Sequence, residues 1–248
     1  MHPGLKVATA YSLPSYQLGF CGPQEVRSKE LLLDFANGKR VDLEKVEEAL
    51  RQFEAPYPYF KLIAKSNGLD DPFAEEVVKA MWVGNSLLEN VRAQDLRKLV
   101  TTDFVRPGLL SLNEAQERAR KIPDGAVPHH SFHVLILGPV AGRVDLKGPL
   151  LDLCRVGWGR VVEIKTKKSK VENLKIKCRP LILGKKMKLG AETEKEISWN
   201  KKIVPQVKVG DWVSFHWSEV GEVLTAEDVV NLEYYTKKTI DLVNGQSK

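Results

Sequence analysis

From residue 25 to residue 121 the apolar side chains recur at three-and-four spacing, the period of helices that bury one face. Glu25 to Phe35 and Val41 to Phe53 carry that period, the second with Asp42 as a cap or first-turn acid. Tyr59 to Ser66 reads as a short helix that Asn67-Gly68 ends. Asp70-Asp71-Pro72 with Glu75 and Glu76 supplies an acidic cap, a first-turn proline and charges that suit the helix dipole. The helix predicted there runs through Val77, Val78, Met81 and Trp82, past Gly84, to Leu87, Leu88 and Val91. Further helices are expected over Ala93 to Val100 and Asn113 to Lys121. The first thirty residues, broken by Pro3, Gly4, Pro14, Gly19, Gly22 and Pro23, read as irregular.

The pattern changes at Pro123-Asp124-Gly125. His133-Val134-Leu135-Ile136-Leu137 reads as a buried strand closed by Gly138-Pro139. Short β segments then follow: Gly159 to Lys165, Val171 to Cys178, a Leu181 to Leu189 hairpin, Glu196 to Trp199, and Asp211 to His216. Strands this short, separated by turns, predict a small barrel rather than a parallel sheet. Thr225-Ala226-Glu227-Asp228 is a capping-box signature for a closing helix from Ala226 to about Val243. The expected fold class is α+β: a mainly helical domain over residues 1–145, ending in a His-rich strand, then a small OB-like β-barrel with a C-terminal helix over residues 146–248.

Composition refines this picture. The chain has the apolar and charged fractions of a soluble protein, and no apolar run approaches the ~20 residues a membrane-spanning helix needs. The first residues lack a secretory pattern, so a cytoplasmic protein without membrane contact is expected. Three cysteines, none in a Cys-x-x-Cys spacing, argue against a disulfide framework and leave each thiol as packing or as a soft metal ligand. The net charge of +6 resides almost wholly in the C-terminal part, where Lys167, Lys168, Lys170, Lys175, Lys177, Arg179, Lys185, Lys186 and Lys188 cluster. Such a face suits nucleic acid, an acidic partner or an anionic ligand, and equally a solvated hairpin.

From Cys154 onward the chain resembles a known family. Cys154-Arg155-Val156-Gly157-Trp158-Gly159-Arg160-Val161-Val162-Glu163-Ile164 is similar to the opening of the HypC/HupF hydrogenase-assembly chaperones, where a cysteine precedes a Pro-Gly-Lys-Val-type strand. Val204-Pro205-Gln206-Val207-Lys208-Val209-Gly210-Asp211-Trp212-Val213-Ser214-Phe215-His216 resembles the second signature, in which a Val-x-Val-Gly-Asp-Tyr-Val segment leads into a histidine. The helix beginning at Thr225 matches in place. The departures are an internal cysteine, Trp158 in place of the proline, Ser218 and Val220 after the histidine, and a lysine-rich insertion. The whole chain also looks like an uncharacterised prokaryotic family with the phrases Leu18-Gly19-Phe20-Cys21-Gly22-Pro23 and Pro128-His129-His130-Ser131-Phe132-His133. The chaperone resemblance implies a thiolate that transiently holds an iron centre with diatomic ligands. It also implies docking on a hydrogenase large-subunit precursor or an iron-centre assembly protein.

Cys154 is thus the sharpest candidate, because a thiolate is a soft ligand and the nearby Arg155 or Arg160 would favour its ionised form. Its bland alternative is a small buried hydrophobe. His216 ends a strand between Phe215 and Trp217, and alternation turns it away from both aromatics. It is a candidate second ligand, or a structural histidine tied to a backbone carbonyl. In an extended Pro128 to His133 segment, His129 and His133 share one face and His130 takes the other. Such a pair holds a metal with help from elsewhere, Cys21 being one source. Cys178 reads as core, and one of Trp158, Trp199, Trp212 and Trp217 could shield a ligand.

No P-loop, dinucleotide fingerprint, nucleophile elbow or His-Glu-x-x-His is present, which favours a chaperone or metal carrier over an enzyme. A metal-binding enzyme using His129, His130 and His133 is the alternative. A nucleic-acid-binding barrel fits less well, because Lys165 to Lys188 contains no aromatic residue for base stacking.

Overall fold

The computed structural model describes residues 2–165 and 171–246. Lys167, Lys168 and Lys170 of the basic stretch lie outside the described residues.

The helical part opens with α1 (Pro3–Gln17), where the sequence reads as irregular. Residues from Leu5 to Tyr16 are buried on nearly every side, so α1 lacks the polar face that periodicity detects. Pro3 occupies its first turn, and Pro14 lies inside it near its end. After it come α2 (Val26–Ala36), α3 (Leu43–Arg51) and α4 (Pro56–Ser66). Asp42 caps α3 through the Glu44 N–H at 3.0 Å, as the sequence predicts.

The helix predicted from Pro72 to Val91 is shorter than expected. It is α5 (Glu75–Trp82), followed by a 3₁₀ turn at Ser86–Asn90. Gly84 breaks it, with φ +99°, and a Cβ there would lie 2.3 Å from the Tyr235 ring. Then come α6 (Ala93–Thr102) and α7 (Leu112–Arg120), the latter with a capping box between Ser111 and Glu114.

The predicted strand over His133 to Leu137 is helical instead. A short α8 (His130–Phe132) runs into a wide turn at His133–Leu137, closed by Gly138 N–H donating to the His133 carbonyl at 2.8 Å. A short apolar run cannot be told from a buried helical segment by periodicity. Here its burial between helices decides the matter. Another short helix, α9 (Pro149–Cys154), ends at the candidate cysteine.

The strands are β1 (Gly157–Lys165), β2 (Val171–Cys178), β3 (Leu181–Ile182), β4 (Lys188–Leu189), β5 (Thr193–Asn200), β6 (Trp212–His216) and β7 (Glu219–Leu224). β1, β2, β5, β7 and β6 close a barrel in that order, while β3 and β4 pair alone. The β5–β7 pair is parallel and the other pairs antiparallel. This is the α+β architecture with a small barrel that the turn pattern predicts. The closing helix α10 (Ala226–Gln246) starts at Thr225, whose hydroxyl accepts from the Asp228 N–H at 3.1 Å while Asp228 accepts back at 3.0 Å.

Two apolar clusters organise the molecule. Val161, Leu174, Ile176, Cys178, Ile197, Trp199, Val213 and Phe215 fill the barrel, so Cys178 is core as expected. A larger cluster joins the helices to Val156, Trp158, Leu224, Leu232 and Tyr235, which seats α1, α5 and α8 against the barrel's outer wall. Along that seam a buried polar set appears. Tyr11 of α1 hydrogen-bonds with Ser214 Oγ at 2.6 Å and donates to Glu222 at 3.2 Å, and Lys79 of α5 pairs with Asp228 at 3.2 Å.

Candidate metal centre

Three segments distant in sequence converge at the seam. α8 brings His130, the last turn of α9 brings Cys154, and the end of β6 brings His216. One ligand atom from each lies within 4.8 Å of the others, a spacing that could hold a metal ion.

The hydrogen bonds of the two imidazoles define which nitrogens face inward. His130 Nε2 lies 2.9 Å from the Cys154 carbonyl, and His216 Nδ1 lies 2.7 Å from the Tyr11 carbonyl. A carbonyl only accepts, so each of these nitrogens carries the proton. The opposite atoms, His130 Nδ1 and His216 Nε2, are then bare lone pairs, buried and without a hydrogen-bond partner. Metal-ligating histidines have this arrangement: the outer N–H donates to a carbonyl, which fixes the tautomer and ring orientation. Burial drives the His216 pKa down to about 4 and that of His130 well below the ordinary imidazole value, so both rings are neutral at pH 7.

The thiol is in the opposite situation from the one its neighbours in sequence suggest. Arg155 does not ionise it: the guanidinium is buried and pairs with Asp152 at 2.7 Å, and Arg160 reaches the Gly210 carbonyl instead. Desolvation, with Cys21 adding to it, pushes the Cys154 pKa up, and the indole N–H of Trp217 pulls weakly the other way. Cys154 is therefore a thiol until something displaces its proton. A metal cation does that, and thiolate with two imidazoles suits a borderline or soft ion.

Aromatic rings hold the group in place. Trp82 stacks on Tyr11 with centroids 5.1 Å apart, and lies 4.4 Å from His130 and 5.4 Å from His216. Alternation correctly separates His216 from Phe215, which enters the barrel core, but not from Trp217. The β6–β7 turn places Trp217 and Ser218 at φ 51° and 62°. Positive φ at a bulky residue is strained. It bends the indole back over the site, where it meets Phe20 at 4.8 Å.

A cavity of about 70 Å³ opens in front of the three ligands. Cys21 and His133 line it, together with Phe20, Val144, Leu146 and Trp217. Cys21 donates to Ser15 Oγ at 2.9 Å, and its pKa is raised to about 12, chiefly by burial. It faces the cavity without belonging to the three-residue group. His133 hydrogen-bonds with Tyr59 at 3.2 Å, and burial lowers its pKa to about 4. Because α8 is helical, His130 and His133 share a face at i, i+3, whereas His129 caps the helix. His129 accepts from the Ser131 N–H at 3.3 Å and stacks with Tyr235, away from the cavity. The extended-segment pairing of His129 with His133 is thus replaced by a His130 and His133 pairing. Trp82 reads in the sequence as helix packing, and Tyr11, in a segment that reads as irregular, carries no signal of its place beside the site.

No helix among the described residues is long and apolar enough to cross a membrane. No curated protein and no solved structure matches the chain. No HypC/HupF family model matches it either. The chain belongs to the family of unknown function DUF6390, whose model matches residues 1–248.

Proposed function

We propose that this protein is a metal-binding accessory protein whose ion is held by Cys154, His130 and His216. The observation that carries the reading is the pair of buried, partnerless imidazole nitrogens of His130 and His216, in rings that each place a nitrogen within 4.8 Å of the thiol and are each backed by an N–H bond to a carbonyl. Leaving a buried acceptor unpaired costs ~1–3 kcal/mol, and one ion between the two rings would satisfy both atoms at once, unlike the solitary unpaired Nε2 of His129. Cys21 faces the same cavity and is the candidate for a fourth ligand; His129 is not, since it lies on the far side of α8.

The specific form of the proposal is a carrier of an iron centre in nickel–iron hydrogenase maturation, handing it to a large-subunit precursor or an assembly protein. Its support is that Cys154, at the end of α9, and His216, at the end of β6, the residues singled out by the likeness to HypC/HupF chaperones, come within 4.8 Å of each other beside an OB-like barrel. A metalloenzyme is the second reading, favoured by the cavity and by neutral His133 beside the ligands.

Anaerobic purification from a hydrogenase-producing host, with iron analysis and infrared spectroscopy, tests the specific form. Carbonyl and cyanide stretching bands that vanish in Cys154→Ala are expected. Protein carrying another metal without such bands would retain the metal site and remove the hydrogenase role.

A further inference from the structure

The cavity in front of the ligands has a wall unlike the others. Helices supply Ser15, Pro56, Trp82, His130, His133 and Cys154, and β6 supplies His216. Among the irregular stretches that complete it, the largest share, Pro139, Val140, Ala141, Val144 and Leu146, comes from residues 138–148, and Phe20 and Cys21 face it from the turn after α1. This segment crosses from the end of the wide turn at His133–Leu137 to the start of α9. Its first residues are pinned by Arg118, which donates to the carbonyls of Leu137 at 3.1 Å and Pro139 at 2.7 Å. Gly138 and Gly148 stand at its two ends with φ +79° and +54°.

Between those ends Val140 packs into the helical core, and the polar hold is slight. Among the described residues, the side-chain hydrogen bonds that tie 140–146 to residues outside the 138–148 segment are those of Arg143. Its guanidinium donates to the Gly22 carbonyl at 3.0 Å and pairs with Glu54. The other oxygen of Glu54 accepts from the Gly22 N–H at 2.8 Å. One buried carboxylate therefore ties the segment to the turn that carries Cys21, closing the cavity from both sides.

We infer that residues 138–148 form a strap over the site and that the Arg143–Glu54–Gly22 contact is its latch, controlling access to Cys154. The inference rests on the metal reading for what passes the strap, but not for the existence of the latch. His130 and His216 are buried and Cys154 is half-buried at the bottom of the cavity, so an ion arrives through its irregular wall. The strap and the turn that carries Cys21 are parts of that wall that can move without breaking a helix or a strand, and the latch joins the two. Releasing the latch raises entry and exit rates by the same factor, because it changes how often the strap opens and leaves the three ligands unaltered.

The test uses full-length, metal-free, reduced protein in two arms. In the first, N-ethylmaleimide modification of Cys154 is followed by peptide mass spectrometry in wild type, Arg143→Ala and Arg143→Lys, with Cys178 in the barrel core as the internal control. Arg143→Ala is expected to speed modification of Cys154 about tenfold or more, the effect of losing charge-assisted hydrogen bonds. Arg143→Lys falls between the two, and Cys178 is unchanged. In the second arm, zinc loading and its removal by a chromophoric chelator accelerate together in Arg143→Ala, with the equilibrium affinity preserved. Equal Cys154 rates in all three proteins overturn the latch, as does acceleration of Cys178 alongside Cys154, which is general loosening. Faster modification of Cys154 alone in Arg143→Ala, with no zinc taken up by the wild type, supports the latch while refuting the metal site.

Discussion

The barrel interior and the seam outside it are built from the same strands and obey different rules. Inside, Val161, Leu174, Ile176, Ile197 and Val213 pack against each other, and the indole N–H of Trp199 is satisfied by the Val204 carbonyl at 2.7 Å. At the seam, β6 turns Ser214 and His216 outward to meet Tyr11, Trp82, His130 and Cys154. Ring nitrogens of Trp82, His129, His130, His216 and Trp217 are buried there without hydrogen-bond partners. The interior gains stability from area removed from water. The seam gives some of it up in buried polar groups without hydrogen-bond partners. One strand thus serves as scaffold on one face and carries the candidate site on the other, with successive side chains alternating between them.

That contrast is broken most strongly from inside. Leu174→Ala leaves a cavity in the barrel and is expected to lower stability by ~2–5 kcal/mol, read by urea denaturation, with metal uptake per folded molecule unchanged. Next come the ligands. Losing an outer hydrogen-bond partner of a ligand costs ~10–100-fold in metal affinity, and loss of a ligand itself exceeds that. Cys154→Ser and His130→Ala are therefore expected to weaken binding ~100-fold or more in a competition titration, while the metal-free proteins melt near the wild-type temperature.

Acid separates the two regions without mutation. Burial holds the folded pKa of His129 at about 3 and those of His133 and His216 at about 4, against 6.5 for a free imidazole. Between these values the unfolded chain binds more protons than the folded one, so stability falls as pH falls. It is fully present above pH 6.5 and is lost progressively toward pH 4. Thermal melts of metal-free protein across that range check this, and replacement of these three histidines by apolar residues should lessen the slope, with the remainder due to His130, whose pKa burial also lowers. The smallest effect is expected from Tyr11→Phe, which removes the hydroxyl from Ser214 and Glu222 for about 1 kcal/mol. Metal affinity should then hold within a few-fold, since His216 bonds the Tyr11 carbonyl and not its hydroxyl.

The barrel and its closing helix were readable because their signals are local. Strand lengths and turns predict β1, β2 and β6, and Thr225 with Asp228 announces α10. β7 and α9 were not foreseen, the first because Glu219 to Leu224 holds a glycine and glutamates, the second because it is short. α1 escaped for the reason that it is buried almost all round. Cys154 and His216 stood out through resemblance and spacing. His130 was one of three histidines, and its role depends on the segment being helical, a choice made by tertiary packing. The unionised state of Cys154 was also hidden, since the direction of Arg155 depends on Asp152 and on the fold.

The most direct test of the metal centre is a cobalt(II) titration of reduced, metal-free protein followed by absorption spectroscopy. Saturation at one equivalent, with thiolate-to-cobalt charge-transfer bands absent in Cys154→Ser and ligand-field bands altered in His130→Ala and His216→Ala, is the result the account predicts. No saturable binding, or charge-transfer bands that persist in Cys154→Ser, would contradict it.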